Sequence, residues 1–90
     1  MELKVRTSKK LEVTDITSQV SAAVRTAHID EGLCCVYVPH ATAAVVINEN
    51  DDQRIGLDLL DALDKLVVEG VWRHDQIDSN GAAHLKAAIL

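Results

Sequence analysis

Three of the four histidines sit where chemistry is plausible from residue type alone: His40, His74 and His84. His40 lies in Pro39-His40-Ala41-Thr42-Ala43-Ala44, which is followed by Asn48-Glu49-Asn50. Imidazole is the commonest ligand for borderline divalent ions and carries protons near neutral pH. Three rings at one place would hold a divalent metal ion, Zn or Mg, with a position left open for substrate. No H-x-x-x-H spacing puts two of them on one helix turn. The alternative that each caps an element or satisfies a local hydrogen bond therefore stays open. Thr42 sets a hydroxyl beside His40. Glu49, at the end of an apolar run, suits a general base or ligand, and equally the first turn of a following helix. His40, Thr42 and Glu49 are the candidate catalytic residues; His40, His74 and His84 are the candidate metal ligands.

A second constellation is Asn80-Gly81-Ala82-Ala83-His84-Leu85-Lys86. If a helix starts here, its first N–H groups are free and carry partial positive charge, which favours phosphate. Gly81 permits close backbone approach. His84 and Lys86 add charge. Asn80, Gly81 and Lys86 are thus candidate phosphate-binding residues, against the plainer reading of Asn80 as an ordinary N-cap.

These groups need elements to hold them. Glu2 to Thr7 alternates apolar Leu3 and Val5 with charged Lys4 and Arg6, the pattern of a half-buried strand. After a turn at Ser8-Lys9-Lys10, Leu11 and Val13 continue it as a hairpin. Val20, Ala23, Val24 and Ala27 predict a helix over 17–29, capped by Asp15 or Thr17 and ended by Asp30-Glu31-Gly32. Leu33 to Val38 and Ala43 to Ile47 are almost wholly apolar and predict two buried strands, with Pro39 at a strand end and a short antiparallel link. Asn50-Asp51-Asp52 caps a second helix over 52–69, with Ile55, Leu59, Leu63, Leu66 and Val67 inward and Gly70 at its stop. Residues 71–81 are irregular, and a third helix spans 82–90. The architecture expected is α+β, an antiparallel sheet packed against helices.

Composition narrows the function. Ninety residues make one domain, and 48% hydrophobic content supports a folded core, necessarily aliphatic because the chain has no Phe, one Trp and one Tyr. A net charge of −5 argues against general nucleic-acid binding. No signal core or membrane-length apolar run occurs, so the expectation is a cytoplasmic protein. Cys34 and Cys35, adjacent and alternating in direction along a strand, form no disulfide and read as small buried apolar residues. The series Asp58, Asp61 and Asp64 reads as a solvated helix face. His28 reads as a surface residue near a helix C-terminus. Ser18 and Ser21 have no flanking elbow or base and are not nucleophiles.

Val38-Pro39-His40-Ala41-Thr42-Ala43-Ala44, Ile47-Asn48-Glu49-Asn50, Asp58-Leu59-Leu60, Arg73-His74 and Asn80-Gly81-Ala82-Ala83-His84-Leu85-Lys86 resemble, in order, the YjbQ-like family, whose members are described as secondary thiamine-phosphate synthases. The resemblance covers almost the whole chain. It implies a small α+β domain in the order β-β-α-β-β-α-α, and homotrimers. It also implies an activity joining an aminopyrimidine diphosphate to a thiazole phosphate with release of diphosphate. Phosphorylated metabolites are then the expected partners. The alternative is a non-catalytic trimeric protein that binds a metal or a phosphometabolite. Ala41 stands where the family usually has Thr. Family members continue past the Ala-His-Leu-Lys helix into strands with a Gly-Thr-Trp-Gln stretch, so the expectation is one YjbQ-like domain over 1–90, incomplete at its C-terminus.

Overall fold

The structure is a computed structural model that describes residues 1–90. It contains four helices, α1 Thr17–Thr26, α2 Arg54–Leu66, α3 Asp75–Asp78 and α4 Gly81–Ile89, and no strand. The chain divides into two compact units, Met1–Cys35 and Val36–Leu90.

The absence of strands overturns the α+β expectation, with its antiparallel sheet and its β-β-α-β-β-α-α order. A strand requires a neighbour about 4.8 Å away to complete its ladder. Alternation or apolarity specifies only which face would be buried. Residues 2–7 and 11–13 alternate as read, yet no ladder forms, and Leu3, Val5 and Val13 stay 39%, 44% and 49% exposed. The apolar runs 33–38 and 43–47 are likewise unpaired, with Leu33 and Ile47 fully exposed. Cys34 and Cys35, expected to be buried, are free thiols on the surface for the same reason.

In the first unit the expected turn at residues 8–10 forms around Glu12. Its carboxylate accepts the N–H groups of Ser8 and Lys9 at 3.1 and 3.0 Å and the Thr14 hydroxyl at 2.9 Å. The Ser8 N–H above all, then the Thr14 hydroxyl, hold the Glu12 carboxyl below its ordinary value. Asp15 opens α1 as expected, its Oδ1 accepting the Thr17 N–H at 2.8 Å. The helix stops earlier than predicted, at Thr26. The residue that ends it is His28, in the left-handed region at φ 53°, rather than Gly32.

In the second unit, Asp52 opens α2. Its Oδ1 accepts the Arg54 N–H at 2.9 Å, and both oxygens receive the Arg54 guanidinium. This pairing lowers the Asp52 pKa and raises that of Arg54. Leu63 is buried on α2, and Val67 just beyond it; Leu66, expected on the same stripe, is 71% exposed. Gly70 takes a φ of 80° in the turn that follows. On α4, Gly81, Ala82 and Lys86 are buried. A buried lysine requires anionic partners. The Lys86 ammonium donates to Asp64 of α2 and lies 3.7 Å from Glu69.

Candidate functional site

Trp72, Arg73, His74 and Asp75 run directly into α3, and Gly81 starts α4. The Asp75 N–H donates to the Trp72 carbonyl at 3.1 Å, and Asp75 Oδ2 accepts the Trp72 N–H at 3.0 Å. The side-chain bond has the logic of the back-reaching half of a capping box, in which a side chain three residues on accepts the N–H of the first residue. The other oxygen, Oδ1, accepts the Gly81 N–H at 2.7 Å. Ser79, at φ 56°, ends α3 and turns the chain back, its own N–H donating to the Asp75 carbonyl at 3.2 Å. The indole N–H of Trp72 donates to the Val68 carbonyl at 2.6 Å.

This scaffold brings His74 and His84 together. Their ring centroids are 4.7 Å apart and the planes cross at 87°, an edge-to-face contact. His74 Nε2 is buried without a hydrogen bond; Asp78 Oδ2 at 3.5 Å is too far for one and offers only charge attraction to a protonated ring. The two imidazoles line an open cleft of about 530 Å³ together with Trp72, Arg73, Gly81 and Leu85. The lining combines a tryptophan and an arginine from the segment before α3 with the start of α4 and two histidines. Such a surface suits an anionic group attached to a flat ring.

The remaining predicted site residues are placed differently. His40 Nδ1 accepts the Thr42 N–H at 3.2 Å and lies 3.0 Å from the Thr42 hydroxyl. A backbone N–H can only donate, so the neutral ring carries its proton on Nε2. His40 and Thr42 thus form one local turn. The Glu49 N–H is taken by Asn48 Oδ1 at 2.7 Å, and Glu49 is exposed. No group of three His, Cys, Asp or Glu side chains able to hold a metal ion forms, so His74 and His84 meet without His40 as a third donor. Asn80 occupies the N-cap position of α4 but makes no side-chain cap, and its Oδ1 is buried without a partner. The cap is Asp75. Gly81 lines the cleft, whereas the Lys86 ammonium is held by Asp64 and Glu69.

Trp72, Arg73 and Asp75 were not among the residues singled out for chemistry by sequence. The available signal was a carboxylate three residues after Trp72, the spacing of a capping box.

A family model described as "UPF0047 protein YjbQ-like" matches residues 1–90. A UPF0047 protein of Archaeoglobus fulgidus is 45% identical over 91 residues, covering 100% of this chain and 69% of that protein. UPF0047 protein MJ1081 of Methanocaldococcus jannaschii is 31% identical, covering 97% of this chain and 62% of that protein. UPF0047 protein YugU of Bacillus subtilis is 35% identical, with 98% and 67% covered. The chain thus spans about two thirds of the length of these relatives. No solved structure matches it.

Proposed function

The chain belongs to the YjbQ-like UPF0047 family, and from that premise we propose that the cleft at His74 and His84 binds a phosphorylated small molecule, in service of thiamine-phosphate synthesis. The observation that carries this reading is the edge-to-face pair of imidazoles beside Arg73 and Trp72 in one cleft. A volume of about 530 Å³ suits a small metabolite. Joining an aminopyrimidine diphosphate to a thiazole phosphate releases diphosphate. The negative charge that develops on the leaving group needs fixed donors, and Arg73, His74 and His84 are the donors at hand. Trp72 offers a flat face for a heterocycle. Should a divalent ion such as Zn or Mg take part, His74 and His84 supply two of its ligands; the binding reading stands without one. A homotrimer and a cytoplasmic setting complete the proposal. No helix is long and apolar enough to cross a membrane.

A second reading, binding of a phosphometabolite without turnover, draws on His40. Its Nδ1 is engaged by Thr42 in a local turn, and His40 is not among the residues that line the cleft. Incubation with both thiamine precursors separates the two. Formation of thiamine phosphate with matching diphosphate release supports the enzyme. Binding of either precursor with no product supports the second reading, and no binding of either contradicts both.

A further inference from the structure

Resting on the cleft described above, we propose that Asp75 is its positioning residue: one carboxylate that sets the separation of the two walls. Its oxygens divide the task. Oδ2 accepts the Trp72 N–H at 3.0 Å and so holds the segment that carries Trp72, Arg73 and His74. Oδ1 accepts the Gly81 N–H at 2.7 Å and so holds the start of α4, one turn before His84. A carboxylate is planar and rigid, and hydrogen bonds to an ionised acceptor are about twice as strong as neutral ones. Asp75 is not among the residues that line the cleft; it lines an adjoining depression of about 350 Å³ that shares Trp72 and Arg73 with it. It therefore acts on a ligand only through the residues it fixes.

Gly81 is the counterpart of this clamp. A Cβ there would lie 2.7 Å from Trp72 Cβ and 2.9 Å from Asp75 Oδ1, so the two walls stand as close as a bare backbone permits. Trp72 Cβ is tied to its own main chain and has little freedom to yield. The close approach places the His84 ring against that of His74 at 4.7 Å. Loss of the clamp lets α4 drift from Trp72, separates the rings and widens the cleft. A displacement on the order of 1 Å can lower the rate of a reaction in such a site by up to about 100-fold.

The test uses Asp75→Asn, which preserves shape but puts an amide NH2 against one of the two N–H donors. Three quantities are read: the cross-relaxation between the His74 and His84 ring protons, the emission of Trp72, and the affinity for inorganic pyrophosphate. The chain has a single Trp, so its emission reports this wall alone. The expected result is an unchanged helical circular dichroism signal, loss of the ring–ring cross-peak, a shifted emission, and an affinity lower by about tenfold, which is about 1.4 kcal/mol. A folded Asp75→Asn with the parent's cross-peak and emission overturns the proposal. If Asp75→Asn loses its helices, Gly81→Ala carries the test, because it parts the walls with the carboxylate in place; an unchanged cross-peak and emission in that variant is the contrary result. A parent protein that binds no pyrophosphate refutes the phosphate reading of the cleft, while the ring contact and the Trp72 emission still decide the role of Asp75.

Discussion

Gly81 donates its N–H to Asp75 Oδ1 at 2.7 Å, so the start of α4 is capped by a carboxylate from the preceding short helix and not by the asparagine that adjoins it. The anion at this helix start belongs to the protein itself. A phosphate in the cleft then depends on side chains, Arg73, His74 and His84, more than on free backbone N–H groups.

Two neighbouring substitutions should behave oppositely to what a simple N-cap implies. Asn80→Ala removes no cap bond and takes away a buried, unpartnered amide oxygen, so it should leave stability unchanged or raise it by up to about 1 kcal/mol. Gly81→Ala gains helix propensity but drives a methyl group within 2.7 Å of Trp72 Cβ. The crowding should win, for a net loss of about 1–2 kcal/mol. Urea melts of both variants check the order; a more stable Gly81→Ala would contradict the close approach.

The Lys86 ammonium is buried and held by Asp64 and Glu69. Asp64→Ala leaves that charge with the weaker partner alone, 3.7 Å away. We expect a loss of about 2–3 kcal/mol, below the full value for breaking a buried pair because the carboxylates are half exposed to water. Lys86→Met, which fills the same space without charge, should cost less than Asp64→Ala. Thermal unfolding of both variants gives the comparison, and equal stability of Asp64→Ala and the parent would show that the pair contributes nothing.

Acid should remove two local contributions. Glu12 and Asp52 have folded-state pKa values below their ordinary 4.5 and 3.8, held down chiefly by the Ser8 N–H and the Arg54 side chain respectively. A depressed carboxyl pKa means that stabilisation is full above the unfolded value and is lost as pH falls through the folded one. Glu12→Gln and Asp52→Asn should therefore be less stable than the parent at pH 7, and the difference should close as pH drops below those ordinary values. Denaturation measured across pH 7 to 2 reads this directly; a gap that widens in acid would reverse the sign.

Three of the four helices were legible because their signals are local; α3, Asp75–Asp78, lies in the stretch 71–81 that reads as irregular. Asp15 and Asp52 accept N–H groups two residues on, and Leu63 and Val67 keep a spacing of four on one face. The strands were not, because pairing is a property of two segments and a sequence pattern describes one. Leu33 and Ile47 are as apolar as a buried strand requires, and they are exposed because no neighbour covers them. His28 ended α1 in a left-handed conformation that side chains rarely adopt, which made Gly32 the natural but incorrect choice. At the site, His74 and His84 were chosen by residue type and do meet, whereas Asp75 was passed over because its reach to Gly81 crosses a whole turn of chain.

Calorimetric titration with inorganic pyrophosphate tests most directly whether the cleft is a phosphate site. The parent should bind with measurable heat. Arg73→Ala and His84→Ala, each confirmed to be folded, should bind at least about tenfold more weakly, a loss of about 1.4 kcal/mol. His40→Ala, whose ring makes its bonds to Thr42, should bind like the parent. Equal affinity in the parent, Arg73→Ala and His84→Ala would place the phosphate elsewhere and contradict the account.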